Sequence, residues 1–89
     1  MTVTVRPTPN PDALMFRLDG ATAVPSGLLA FHSAAEAADH PLGAALFALR
    51  GVASILVVPA FVTVTKRPDA SWDPLVADVE RVLTEQVGA

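Results

Sequence analysis

The chain has 89 residues, 52% hydrophobic and 17% charged, with a formal net charge of −3, only six Lys and Arg, and no cysteine. That composition excludes a disordered chain and suits one domain with a single modest core, spanning residues 1–89. Scarce cations argue against nucleic acid and anionic membrane as partners, and zero cysteine excludes disulfides, thiolate catalysis and Cys-ligated zinc or iron–sulfur centres within these residues.

Thr2–Arg6 alternates, Val3 and Val5 on one face and Thr2, Thr4 and Arg6 on the other, the pattern of a half-buried strand. The start MTVTVRPTPN has no continuous apolar core, so it does not read as a signal peptide. Apolar runs elsewhere fall short of the roughly 18 residues of a membrane span, and the expected compartment is the cytoplasm. Asn10-Pro11-Asp12-Ala13 fits a type I turn. Ala13–Leu18 then alternates again, with Leu14, Phe16 and Leu18 inward and Met15 and Arg17 outward.

Pro25, Ser26 and Gly27 mark a loop, and Leu28–Phe31 is an apolar run compatible with a short strand. Ser33-Ala34-Ala35-Glu36 has the form of a capping box and predicts a short alanine-rich helix. His40-Pro41 interrupts it and opens a second helix with Leu42, Ala45, Leu46 and Leu49 along one face. Gly51 stands where a left-handed residue would end that helix. Val52–Val58 and Phe61–Lys66 predict a hairpin with Pro59-Ala60 at its tip. Proline cannot adopt the positive φ of a primed turn, so a type I turn with a bulge is expected. Ser71 is a plausible N-cap, and Trp72, Leu75, Val76, Val79, Val82, Leu83 and Val87 form the apolar stripe of a last helix.

The expected fold class is α+β. It is a two-layer sandwich in the order β-β-α-β-β-α, with a broken first helix, a mostly antiparallel four-stranded sheet, and helices on one sheet face. The other face would carry Thr4, Met15, Arg17, Thr63 and Thr65 toward solvent.

Catalytic chemistry finds little footing. His32 and His40 lie eight residues apart, a spacing no metal motif uses, and they read as surface or cap residues. Ser33, a histidine and Asp39 can be assembled into a triad on paper. No strand–turn–helix nucleophile context surrounds Ser33, and the capping box already accounts for it. Lys66-Arg67 reads first as a solubilised end of an edge strand, with an anion contact as the alternative. Trp72 reads as a core anchor of the last helix, with a ligand platform as the alternative.

Taken in order, Thr8-Pro9-Asn10-Pro11, Leu14-Met15-Phe16, Pro41-Leu42, Leu46-Phe47, Gly51-Val52, Phe61-Val62-Thr63-Val64-Thr65-Lys66 and Trp72 form a set. This set resembles the N-terminal domain of Nfu/NifU-like iron–sulfur scaffold proteins, here as a stand-alone small protein. In that family a second domain carries the C-x-x-C pair that binds the cluster, so the resemblance assigns cluster ligation to no residue of this chain. It implies a non-enzymatic accessory role: contact with iron–sulfur assembly factors or recipient apo-proteins, with no cofactor of its own, no nucleic acid and no membrane. The candidate partner surface is the solvated sheet face, Thr4, Met15, Arg17, Thr63 and Thr65, together with the PTPNP segment. The family often has an acidic residue before the phenylalanine of FVTVTK. Here that residue is Ala60. The alternative expectation is a small-ligand or peptide-binding domain unrelated to iron. Nothing in the pattern specifies an oligomeric state.

Overall fold

Alternation along each strand decides which residues go inside, and in the computed structural model, described for residues 1–88, those residues meet in one core. Five strands and two helices follow in the order β1 (Thr2–Pro7), β2 (Ala13–Asp19), β3 (Leu29–Phe31), α1 (Pro41–Phe47), β4 (Val52–Val57), β5 (Phe61–Lys66) and α2 (Trp72–Gln86). All pairings are antiparallel, and the spatial order is β1-β2-β5-β4-β3. The opening and closing hairpins therefore pair through β2 and β5, and β5 is the central strand.

Phe16 and Leu18 from β2, Ile55 and Val57 from β4, and Val62 and Val64 from β5 face inward. Leu42 and Leu46 of α1 and Leu75, Val79, Val82 and Leu83 of α2 complete the core from the helical layer. Both helices pack on this one sheet face. Burial of such side chains contributes about 1.5–3 kcal/mol each before chain entropy is counted.

Three expectations need correction. The sheet has five strands, not four, because Leu29–Phe31 joins β4 as an edge. Three residues are too few to show an alternation, so the sequence could mark the run only as apolar. The expected helix after Ser33 does not form. Residues 34–39 fold into consecutive turns with i→i+3 bonds, Ala37 N to Ala34 O at 3.2 Å and His40 N to Ala37 O at 3.0 Å. Half of the capping box survives: Glu36 N donates to Ser33 Oγ at 3.2 Å, but the Glu36 carboxylate accepts from His32 N at 2.9 Å rather than from Ser33. Pro41 biases His40 away from helical backbone, and His40 sits extended at φ −107° and ψ 113°.

The third correction concerns the bulge, which lies at Val52–Ser54 rather than at the hairpin tip. Its cause is legible in the side chains. Val52 and Ile55 are both buried, yet three positions apart they would face opposite ways in a regular strand. The extra residue, Ala53, brings both to the core side. The tip itself, Pro59-Ala60, has no positive φ, as expected.

Candidate functional site

Two regions of the molecule collect the residues that the sequence singled out. The first is a corner at the C-terminal end of β5, where the ends of β1 and β2, the start of β4 and the first turn of α2 converge. Thr8 Oγ1 donates to the carbonyls of Asn10 and Ala13, both at 2.9 Å, and accepts from Asn10 N at 3.2 Å. Asn10 Oδ1 accepts from Asp12 N at 2.9 Å, and Ala13 N donates to Asn10 O at 3.0 Å, closing the expected turn. Pro9 and Pro11 set the extended approach to it.

Asp12 is the hub of the corner. Its carbonyl accepts from Lys66 N at 2.7 Å and its carboxylate from Lys66 Nζ at 2.9 Å. The Lys66 side chain is 10% exposed and that of Asp12 35%, so the pair is part-buried with its carboxylate open to water, and Lys66 Nζ also donates to Arg67 O at 3.4 Å. Trp72 Nε1 donates to Pro11 O at 3.1 Å while its ring packs against Phe16, centroids 6.5 Å apart. The expectation that Gly51 ends the helix is corrected: α1 stops at Phe47 with Ala48 as its C-cap, Leu49 lies beyond it, and Gly51, at φ +98°, belongs to the turn before β4, where its carbonyl accepts from Arg67 N at 2.7 Å. A Cβ on Gly51 would lie 2.8 Å from the Cβ of Ala70. Thr8 thus holds Asn10, Pro11 holds Trp72, Lys66 is tied to Asp12 and Gly51 to Arg67, and Val52 beside them is buried. The reading of Lys66 as the end of an edge strand is overturned, because β5 is central and the ammonium is bound by Asp12. Trp72 is a half-buried anchor, as expected of the last helix.

The second region is the sheet face that no helix covers. Pairing aligns Ala30, Leu56, Thr63, Met15 and Arg6 in one row across all five strands. A neighbouring row brings Phe61, Arg17 and Thr4 together, and Thr65 pairs with Ala13 and Ser54. The five expected surface residues Thr4, Met15, Arg17, Thr63 and Thr65 therefore share one face. Phe61, Thr63 and Thr65 of the FVTVTK segment lie there too. Met15, Leu56 and Phe61 are half-buried by their neighbours but stand outside the core cluster. Sequence reasoning missed Leu56. Strict alternation from Val52 would turn Leu56 inward, and only the bulge turns it out.

The remaining candidates resolve into structural roles. His40 Nδ1 accepts from Gly43 N at 3.1 Å, which makes His40 the N-cap of α1 and places the ring proton on Nε2. Ser33 Oγ is occupied by Glu36 N. No three His, Asp or Glu side chains come together as metal ligands among the described residues. An open groove of about 440 Å³ lies beside the start of α2, bordered by Arg50, Arg67, Asp69 and Asp78 over a floor that includes Pro74 and Leu75. Its border carries two positive and two negative side chains, so it favours neither sign of charge. No helix among the described residues is long and apolar enough to cross a membrane.

Residues 3–89 match the family described as the scaffold protein Nfu/NifU N-terminal domain. The chain belongs to this family. It is 36% identical over 85 residues to NifU-like protein 5, mitochondrial, of Arabidopsis thaliana, covering 96% of this chain and 30% of that protein. It is 34% identical over 80 residues to the human NFU1 iron-sulfur cluster scaffold homolog, mitochondrial, covering 89% of this chain and 31% of that protein. The chain therefore spans about 30% of the length of these curated relatives. Among solved structures, the crystal structure of Staphylococcus aureus protein SAV1430 superposes with a TM-score of 0.74 over 93% of this chain and 99% of that one, at 23% identity. That likeness speaks for the fold alone. The family is the one whose resemblance the TPNP, Gly51-Val52 and FVTVTK segments carry.

Proposed function

We propose that this chain is a non-enzymatic protein-interaction module of iron–sulfur cluster assembly, meeting assembly factors or recipient apo-proteins through its uncovered sheet face. The observation that carries this reading is the pairing of family membership with the layout of the sheet. The chain, itself without cysteine, matches the N-terminal domain of a scaffold family, and one whole sheet face is left without a helix over half-buried Met15, Leu56 and Phe61. The cluster is cargo here. With no thiolate in the sequence, its ligands come from a partner or from another part of a longer protein. A non-catalytic role is supported by the occupation of Ser33 and His40 in caps. Cytoplasmic residence belongs to the same proposal.

Anaerobic affinity purification, with retained proteins identified by mass spectrometry and iron assayed in parallel, tests the reading. Assembly factors or apo-recipients should be retained, and a deletion strain should lose activity of cluster-dependent enzymes. Retention of unrelated proteins alone, with normal cluster enzymes in the deletion strain, would overturn it. The groove beside α2 favours a second reading, a small-ligand site unrelated to iron. That reading requires a thermal shift with a metabolite that is lost on Arg67→Gln.

A further inference from the structure

The acidic residues of this protein are unevenly shared between its two layers, whereas its cations occur on both. Of nine acidic residues only Asp19 lies on the uncovered sheet face. Asp12 is bound at the corner, Glu36 and Asp39 sit in the turns before α1, and Asp69, Asp73, Asp78, Glu80 and Glu85 line α2 and its approach. The uncovered face instead carries Arg6 and Arg17. Arg6 is exposed and has no ion-pair partner among the described residues, and Arg17 reaches Asp19 only at 3.6 Å with both side chains more than half exposed. A molecule that is acidic overall therefore presents a face that is apolar in the middle and basic along one side.

From this we infer that the uncovered face binds an amphipathic helix of a partner protein, its apolar stripe on Met15, Leu56 and Phe61 and its carboxylates toward Arg6 and Arg17. The helical form follows from hydrogen bonding. Backbone groups of a sheet point along the sheet plane, so a segment lying on the face gains no main-chain bonds from it and must satisfy its own. An extended peptide would instead add to the free edges at β1 or β3. Size agrees: six residues along a strand and five strands across each span about 20 Å, the length of a helix of about 13 residues. Such a helix would complete a three-layer arrangement, with helices on both sheet faces. The inference deepens the proposed interaction role by stating what the partner presents.

Two synthetic peptides of about 18 residues, long enough to hold a helix, test it. Both have a leucine stripe, one flanked by glutamate and the other by lysine. Titrated into the 15N-labelled protein, the Leu/Glu peptide should shift amides of Arg6, Met15, Arg17, Leu56, Phe61 and Thr63 and leave α2 unchanged. Its affinity should exceed that of the Leu/Lys peptide at least about tenfold and fall as salt rises. Arg6→Glu with Arg17→Glu should reverse the preference, and Met15→Gln should weaken both peptides, each variant keeping the wild-type melting temperature. Equal binding of the two peptides, shifts centred on α2, or no binding would overturn the inference. So would a doubled mass in sedimentation that Met15→Gln abolishes, since the face would then be filled by a second copy. If anaerobic purification retains assembly factors while the Leu/Glu peptide fails, only the stated chemistry falls. If the peptide binds but no assembly factor is retained, the iron–sulfur role falls and the helix site stands.

Discussion

The corner at the end of β5 and the uncovered sheet face draw on the same two strands, β2 and β5, yet they use them in opposite ways. At the corner, Thr8, Asn10, Pro11, Lys66 and Trp72 spend their polar groups within the corner, on one another, on Asp12 and on Ala13, with bonds of 2.7–3.2 Å. On the sheet face, Met15, Phe61, Thr63 and Leu56 lie against neighbours in the same sheet and have no layer above them. One strand feeds both regions. Lys66 turns inward to Asp12, while Phe61, Thr63 and Thr65 turn outward. One strand therefore carries both residues that make the fold and residues that the fold displays, and face alternation along β5 separates the two groups.

Substitutions can break or sharpen this contrast. The largest loss is expected for Gly51→Val, about 3 kcal/mol, because the new side chain meets both a positive φ and the Ala70 Cβ at 2.8 Å. Chemical denaturation measures it, and a variant as stable as wild type would refute the strain expected of a side chain at this left-handed turn position. Next comes Asp12→Ala, which takes the carboxylate from the part-buried Lys66 ammonium and leaves it only Arg67 O at 3.4 Å, and should cost about 1.5 kcal/mol. Adding Lys66→Met should recover part of that loss, since an apolar chain then fills the same space. A double-mutant cycle reads the coupling directly. His40→Ala removes the acceptor for Gly43 N and should lower stability by about 1 kcal/mol, with His40→Asn retaining most of it. Smallest of all, Met15→Gln and Thr63→Ser on the uncovered face should each stay within about 0.5 kcal/mol of wild type. A large loss there would mean that the face belongs to the folding core rather than to a partner.

How far each element was legible depended on its length and on where its hydrogen bonds go. α2 showed its apolar stripe over four turns, and Ser71 Oγ accepts from Asp73 N at 3.4 Å as the N-cap expected of it. β1, β2 and β5 alternate without interruption, and their inward residues are the ones found inside. β3 is too short to alternate, and its place depends on β4, which follows later in the chain. The turns at 34–39 satisfy helix-start rules locally, but His40-Pro41 and the burial of Ala37 against Gly43 decide against a helix. Of the candidate interface, the outward residues of β2 and β5 were visible in the alternation. Leu56 was hidden behind the bulge, and Arg6 gained its meaning only when the acids proved to lie elsewhere.

By itself the sequence determined the α+β class, the absence of thiolates from these residues, the positive φ of Gly51 and the family. These follow from local rules: residue type, period, and the backbone freedom of glycine and proline. The tertiary structure alone decided that β5 lies at the centre, that Lys66 belongs to Asp12, and that one sheet face is apolar and basic while the acids gather on the helical layer. Each of those facts depends on strand pairing between distant segments, Ala13 with Thr65 among them, and alternation within a strand tells which residues share a face but not which strands are neighbours.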